Sequence, residues 1–284
     1  MWPNKDRVTD PCLAPAGLQI WRPQRWMTTM SHAPVLLSLD ERGVASVALN
    51  RPAVGNAYDG GMIESLLAIL DALCGDKALR VAVVTGVGKH FQAGADLAWL
   101  RGLSRDSREA NERASDATAR VVARLNRLPV PTVALVQGAC FGGGAGIAAA
   151  CDIVIAADNA VFAIPEVRWG LTAAIVLPEL SAAITARQLR RYALTGERFD
   201  AAEAHRIGLA HQVVPLQELA AAGAAMTARL LDNAPLAMAE TKQMVIDLAA
   251  REALVLRHAA KRQSAEAREG LAAFAEARAA RWLR

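Results

Sequence analysis

Two glycine-rich turns, at residues 86–97 and 138–146, contain residue types that could do chemistry through the main chain. Each follows an apolar run that predicts a buried strand. The second holds three consecutive glycines and opens a small-residue helix, which leaves main-chain N–H groups free at the positive end of that helix. Two such turns after neighbouring strands can direct two N–H groups at one oxygen atom, forming an oxyanion hole. For either turn alone, close packing of strand against helix explains the glycines better.

Other ligand classes are less compatible with the sequence. The glycine spacing matches neither the dinucleotide fingerprint nor the phosphate loop. The chain has 284 residues, a net charge of +4 and 21% charged residues, with arginines scattered along the predicted helices, so we expect no nucleic-acid partner. No apolar run is long enough to span a membrane, and the four cysteines lack metal-ligand spacing. We therefore expect a reduced, cytoplasmic protein with no metal site and no membrane partner.

The elements that must position the turns predict an α/β fold. Val35–Leu39 and Val44–Leu49 predict a hairpin, and Asp59 is the expected cap of the helix that follows. Further predicted strands lie at residues 81–85, 132–136, 152–156 and 160–163, and helices at 104–128 and 143–151. After about residue 177 only helices are predicted, at residues 179–194, 200–207, 216–232, 234–250 and 252 onward, with Asp200 as a cap.

We predict three regions in the chain. Residues 1–30 form an extension, either a disordered arm or a segment before the natural start. Residues 31–198 form the core that carries the site. Residues 199–284 form a helical region whose alanine- and leucine-rich faces favour packing against another subunit.

Six motifs in order along the chain resemble the successive signatures of the crotonase superfamily of enoyl-CoA hydratases and isomerases. They lie at residues 50–57, 91–97, 138–144, 151–152, 165–166 and 194–196. Residues 93–99, 141–146 and 166–168 most resemble bacterial methylglutaconyl-CoA and isohexenylglutaconyl-CoA hydratases. The resemblance implies a spiral of ββα units with a C-terminal helical region, an acyl-CoA thioester substrate, and a homotrimer or homohexamer. It implies no cofactor beyond the CoA of the substrate.

The resemblance also implies roles for individual residues. The N–H groups of Ala95 and Gly143 hold the thioester oxygen, and Glu166 moves a proton. The positions implied in substrate and CoA binding are Ala57, Ala93, Ala95, Asp96, Leu97, Ala98, Gly142 and Gly143. Lys242 and Phe274 match C-terminal positions that contact CoA in relatives. Trp99 and Trp169 are candidates for the acyl-pocket wall, with core packing as the equal alternative.

One departure from the family pattern keeps the reaction open. Gly146 occupies the position of the first of the two glutamates that hydratases of the family carry, so Glu166 is left alone. We predict hydration of an α,β-unsaturated acyl-CoA, with a methylglutaconyl-type substrate whose second carboxylate Arg168 could bind. An ordinary ion pair is the alternative for Arg168. The alternatives for the chain are a Δ3,Δ2-enoyl-CoA isomerase and a non-catalytic acyl-CoA- or RNA-binding protein.

Overall fold

The computed structural model describes residues 33–247, 260–261 and 264–283. The predicted extension at residues 1–30 lies outside these residues. So do residues 252–259, the first part of the helix predicted from residue 252 onward.

A six-stranded sheet forms the centre of the fold. Its strands, in spatial order, are β1 (Val35–Leu39), β2 (Val44–Leu49), β3 (Val81–Gly86), β4 (Thr132–Val136), β6 (Ile153–Ala157) and β9 (Gln212–Val214). β1 pairs antiparallel with β2, and all other neighbours in this sheet are parallel. The predicted hairpin is confirmed at both strands.

A second, three-stranded sheet carries the second glycine-rich turn. It consists of β5 (Ala139–Phe141), β7 (Val161–Ala163) and β8 (Arg198–Asp200), in that order. β5 runs parallel to β7, so their carboxyl ends lie side by side. Residues 142–143 and 164–166 follow these two ends, which brings the glycine turn and Glu166 to the same edge.

Ten α-helices surround the sheets in the described residues. They are α1 (Gly60–Gly75), α2 (Leu97–Leu103), α3 (Arg108–Asn126), α4 (Gly143–Ala150), α5 (Leu177–Ala183), α6 (Ala186–Thr195), α7 (Ala201–Arg206), α8 (Leu219–Leu231), α9 (Pro235–Asp247) and α10 (Ala265–Ala275). The predicted caps are confirmed, since the carboxylates of Asp59 and Asp200 accept from the N–H groups of Met62 and Glu203. The α/β fold class is confirmed.

Two details of the prediction are wrong. Strands do not stop at residue 177, because β8 and β9 follow; each has three residues, too few for an alternating pattern to be recognised. The helix predicted at 104–128 begins later, as α3, and the helix predicted at 179–194 is divided into α5 and α6. Ser107 and Thr185 accept hydrogen bonds from main-chain N–H groups three residues on, and so start new helices at α3 and α6.

The main core lies between the sheet and the helices α1, α3 and α4, and a smaller apolar cluster lies between the sheet and α8. Cys140 and Cys151 are buried free thiols, as predicted. None of the helices in the described residues has the length and apolar character needed to cross a membrane.

Candidate active site

The two glycine-rich turns lie side by side because their main chains are hydrogen-bonded to each other. Gln92 N–H donates to the Ala139 carbonyl at 3.0 Å, and Phe141 N–H donates to the Gln92 carbonyl at 2.9 Å. A Cβ atom at Gly94, where φ is +95°, would lie 3.3 Å from the Phe141 carbonyl oxygen. This close approach requires glycine and fixes the first turn against the second.

Arg51, in the first motif, holds the first turn in place through its guanidinium group. The Arg51 guanidinium lies 2.9 Å from Asp59 and 3.1 Å from Asp96 and also donates to the Ala57 carbonyl. Asp96 caps α2 through the N–H groups at its start. The N–H groups of Trp99 and Ala98, together with Arg51, lower the pKa of Asp96. Asp96 is therefore an ionised structural group that holds α1, α2 and the turn together.

Two main-chain donors in these turns have no acceptor among the described residues. Among the residues that the structure describes, neither the Ala95 N–H nor the Gly143 N–H donates a hydrogen bond. Tyr58 pairs with Gly94 and Asp96 on either side of Ala95, which leaves the Ala95 N–H unused. Gly143 is the first residue of α4, where N–H groups have no partner within the helix.

Glu166 begins a short 3₁₀ helix, Glu166–Trp169, directly after Pro165. A Cβ atom at Gly142, where φ is +52°, would lie 2.5 Å from Glu166 Oε1, so the carboxylate packs against the turn and only glycine fits there. Glu166 Oε2 is buried and has no hydrogen-bond partner. Burial raises the pKa of Glu166, as expected for a carboxylate moved out of water.

Ala95, Gly143 and Glu166 open onto one pocket of about 390 Å³. Its far walls come from α2, α3 and the segment 169–176, and Trp99 and Trp169 are among them, as the sequence suggested. The lining is mostly apolar, and none of the lining residues in the described chain is Lys, Arg or His. An uncharged organic group next to two hydrogen-bond donors and one carboxylate is what such a pocket can hold.

The structure brings six of the predicted binding residues to the pocket and leaves three outside it. Those that line the pocket are Ala93, Ala95, Leu97, Gly142, Gly143 and Glu166. Ala57, Asp96 and Ala98 do not line it. The geometry places the residues, while their roles in binding and catalysis stay predictions.

Val176 occupies the space beside Gly146, the position of the missing first glutamate. A Cβ atom at Gly146 would lie 2.2 Å from Val176 Cγ1 and 2.5 Å from Val176 Cβ. Val176 is buried and also lines the pocket. An apolar wall therefore stands where a second carboxylate would have to enter.

Three residues predicted at the margins of the site lie elsewhere or are not described. The Lys242 ammonium is buried and lies 2.8 Å from Asp152 and 3.1 Å from the Val130 carbonyl. The exposed Arg168 does not line the pocket, and its side chain packs against Gly196. Phe274 belongs to α10, and its side chain lies outside the described part of the structure.

The sequence analysis missed Tyr58 and Val176, which both line the pocket. Tyr58 could have been found, because it directly follows the Asn56–Ala57 pair that contributed to the resemblance. Val176 had no comparable marker in the sequence. No cluster of His, Cys, Asp or Glu arranged to hold a metal ion occurs in the residues described.

Comparisons with known proteins agree with this geometry. Residues 40–284 match the family described as enoyl-CoA hydratase/isomerase. The chain is 34% identical to a crotonyl-CoA hydratase of Syntrophomonas wolfei over 75% of this chain and 81% of that protein. It is 32% identical to a hydroxycinnamoyl-CoA hydratase-lyase of Pseudomonas fluorescens over 71% and 74%. The crystal structure of an enoyl-CoA hydratase from Shewanella pealeana superposes with a TM-score of 0.84 at 35% identity, over 88% of this chain and 96% of that one.

Proposed function

This chain belongs to the enoyl-CoA hydratase/isomerase family, and on that premise we propose that it adds water to an α,β-unsaturated acyl-CoA thioester. The observation that carries the proposal is the arrangement of Glu166 beside the unused N–H groups of Ala95 and Gly143 in one pocket. The named relatives that act on crotonyl-CoA and hydroxycinnamoyl-CoA support the same class of substrate for this chain.

In the proposed reaction, the two N–H groups donate to the thioester carbonyl oxygen and stabilise the enolate that forms there. Each donor of this kind is typically worth about 3 kcal/mol in the transition state. Water adds its oxygen to the β carbon while its proton passes to the Glu166 carboxylate. The same proton then moves from Glu166 to the α carbon, which completes the addition of one water molecule. We propose that no cofactor takes part besides the CoA of the substrate.

Glu166 must carry both proton transfers, because Val176 closes the position of the other carboxylate. The raised pKa of Glu166 suits this double role, since a carboxylate in a dry pocket is a stronger base before the transfer and still a usable acid after it.

The same observation favours a second candidate, a Δ3,Δ2-enoyl-CoA isomerase. Isomerisation needs one base that removes a proton from the α carbon and returns it to the γ carbon, so a single carboxylate is enough. Water has no part in that reaction, and an apolar wall at Val176 does not hinder it.

Purified protein incubated separately with a 2-enoyl-CoA and a 3-enoyl-CoA distinguishes the two candidates. We expect the 2-enoyl-CoA to yield a 3-hydroxyacyl-CoA, detected by mass as a gain of one water. Migration of the double bond without that gain would replace the hydratase with the isomerase.

Two matched variants test the assignment of Glu166. Glu166→Gln should lower kcat by about 10²–10⁴-fold, the usual contribution of a general acid–base group. Glu179→Gln is the control, because Glu179 is also buried with a raised pKa but does not line the pocket. If Glu166→Gln keeps full turnover, Glu166 is not the group that moves the proton. If the wild-type protein turns over neither the 2-enoyl-CoA nor the 3-enoyl-CoA, a non-catalytic acyl-CoA- or RNA-binding member is the better explanation.

The lining of the pocket also bears on which acyl group the substrate carries. The resemblance to methylglutaconyl-CoA hydratases suggested a second carboxylate bound by Arg168, but this side chain packs against Gly196 away from the pocket. The absence of any cation among the described lining residues supports an uncharged acyl group instead. Turnover of a neutral enoyl-CoA should exceed that of a glutaconyl-type thioester, and Arg168→Gln should leave the ratio unchanged. A preference for the glutaconyl-type thioester that Arg168→Gln abolishes would restore the dicarboxylic substrate.

We propose a homotrimer or homohexamer, which large apolar side chains exposed on the C-terminal helices support. Leu236, Val245 and Leu271 are 59%, 64% and 66% exposed in the single chain. Light scattering on the purified protein measures the assembly directly, and a monomeric mass would contradict it.

A further inference from the structure

Two of the side chains that line the pocket in the described residues are ionisable. One is Glu166, and the other is Tyr58. The remaining polar side chains of the lining are hydroxyl and amide groups of Ser, Thr and Asn, together with the Trp indoles. Val176 fills the position beside Gly146, so Tyr58 is the ionisable side chain that accompanies Glu166 in the described lining.

The Tyr58 ring packs on the turn that supplies one of the two free N–H groups. A Cβ atom at Gly143 would lie 2.5 Å from Tyr58 Cε1 and 3.2 Å from Tyr58 Cζ, so glycine at 143 makes room for the ring. The ring meets Trp99 edge to face, with centroids 5.8 Å apart. Main-chain hydrogen bonds to Gly94 and Asp96 hold the residue on either side of Ala95. The main chain of Tyr58 is thus held beside Ala95, and its ring packs on Gly143.

The Tyr58 hydroxyl is free to bind a ligand. It makes no hydrogen bond to any residue that the structure describes, and it is not among the fully buried polar atoms that lack a partner. Burial, and then the negative charge of Glu166, raise the pKa of Tyr58 to about 12. The phenol is therefore neutral at ordinary pH and can donate a hydrogen bond, and its hydroxyl lies near enough to Glu166 to feel that charge.

We propose that the Tyr58 hydroxyl binds the reacting water and holds it against Glu166, in place of a second carboxylate. This inference rests on the proposed hydratase function. The hydroxyl donates a hydrogen bond to the water oxygen, and the water donates one of its hydrogens to the Glu166 carboxylate. The remaining lone pair of the water oxygen then attacks the β carbon. Glu166 takes the proton and returns it to the α carbon, and Tyr58 keeps its own proton throughout.

The test compares a reaction that consumes water with one that does not. Exchange of the α hydrogen of a saturated acyl-CoA in D2O needs the N–H groups and Glu166, but no water is added to carbon. In Tyr58→Phe, the ring and its packing remain while the hydroxyl is lost. We expect the kcat of hydration to fall about tenfold, as for the loss of one hydrogen bond to a reacting group. The KM for the enoyl-CoA and the rate of α-hydrogen exchange should both stay within about twofold.

The other tyrosine of the chain supplies a matched control. Tyr192 is buried, bonds to Glu203 through its hydroxyl and does not line the pocket. Tyr192→Phe should leave both rates unchanged. Glu166→Gln should lower both rates together, because each needs the carboxylate.

The other possible results of these measurements each contradict one part of the proposal. If hydration and exchange fall equally in Tyr58→Phe, the hydroxyl acts on the shape of the site and does not hold water. If neither falls, the hydroxyl has no role, and the hydratase proposal stands without it. If the wild-type protein exchanges the α hydrogen but adds no water to a 2-enoyl-CoA, the hydratase proposal fails and the role of Tyr58 falls with it.

Discussion

Replacing Gly146 by alanine tests whether Val176 closes the position of the missing carboxylate. The added Cβ atom would lie 2.2 Å from Val176 Cγ1, whereas non-bonded carbon atoms attract best at about 3.5–4.0 Å. One of the two groups must therefore move by more than 1 Å. Val176 cannot turn away easily, because it is buried and its β-branched side chain has few rotamers.

The expected loss of stability follows from two opposing effects. Overpacking of this kind lowers the free energy of unfolding by about 1–3 kcal/mol. Gly146 lies within α4, where alanine is preferred over glycine by up to about 1 kcal/mol. We therefore expect Gly146→Ala to lower the free energy of unfolding by about 1–2 kcal/mol.

A double-mutant cycle with Val176→Ala separates contact from other effects. Val176→Ala alone should lose about 1–3 kcal/mol by leaving a cavity, as expected for two buried methyl groups. In the double variant the overlap with Val176 Cγ1 is gone, while the overlap with the Cβ atom of residue 176, at 2.5 Å, remains. Part of the overpacking is relieved, so the combined loss should fall short of the sum of the two single losses by more than about 0.5 kcal/mol. Urea denaturation followed by circular dichroism gives the four free energies. Gly102→Ala is the control, because a Cβ atom at this helical position meets nothing within 4 Å and should not destabilise.

Additive losses, within about 0.5 kcal/mol, would refute the reasoning, because residues that do not touch behave independently. Because Val176 Cβ would itself lie 2.5 Å from a Cβ atom at 146, placing a second carboxylate through Gly146→Glu needs the Val176→Gly background.

Three other predictions concern charged groups. Burial raises the pKa of Glu166 above 4.5, and its carboxylate is the active form, so kcat/KM should fall as the pH is lowered through that raised pKa. A pH profile of kcat/KM measures the inflection, and a kcat/KM that stays constant at acid pH would contradict the prediction. Asp96→Ala removes the cap of α2 and the pair with Arg51, and should lower the free energy of unfolding by about 1 kcal/mol at pH 7. Because the pKa of Asp96 is lowered in the folded protein, this difference should shrink in urea titrations as the pH falls below the unfolded value of about 4. Lys242→Met leaves the Asp152 carboxylate without its ammonium partner and should lower the free energy of unfolding by up to about 3 kcal/mol. The KM for the acyl-CoA should stay unchanged. A higher KM at unchanged stability would instead support contact between Lys242 and CoA.

Local patterns predicted the elements that lie in the first half of the sheet. The bounds of β1, β2 and β4 agree with their alternating or continuous apolar runs, and Asp59 caps α1 as expected. Longer-range pairing decided what the patterns missed. β9 has three residues and exists because β6 offers a parallel edge with matching carbonyl and N–H groups.

The site divides in the same way between main-chain and side-chain features. The glycine-rich turns are local, so the sequence could place candidate N–H donors after two predicted strands, while the roles of Ala95, Gly143 and Glu166 were implied by the family resemblance. The direction of Arg168 depends on its contact with Gly196, 28 residues further along the chain, and no local pattern contains that contact.

The choice between hydratase and isomerase shows why such contacts matter most for function. Gly146 shows in the sequence that a carboxylate is missing. It does not show whether water or another side chain fills the space that this carboxylate would occupy. The structure shows that the Val176 side chain fills part of this space. That contact forms only because β6, β7 and the 3₁₀ helix at Glu166 bring residue 176 back to Gly146. In the proposed hydration Tyr58 would hold the reacting water instead, since its ring packs on Gly143 in the same pocket. The proposed hydration by a single glutamate therefore depends on two side chains, Tyr58 and Val176, that lie 118 residues apart in the sequence.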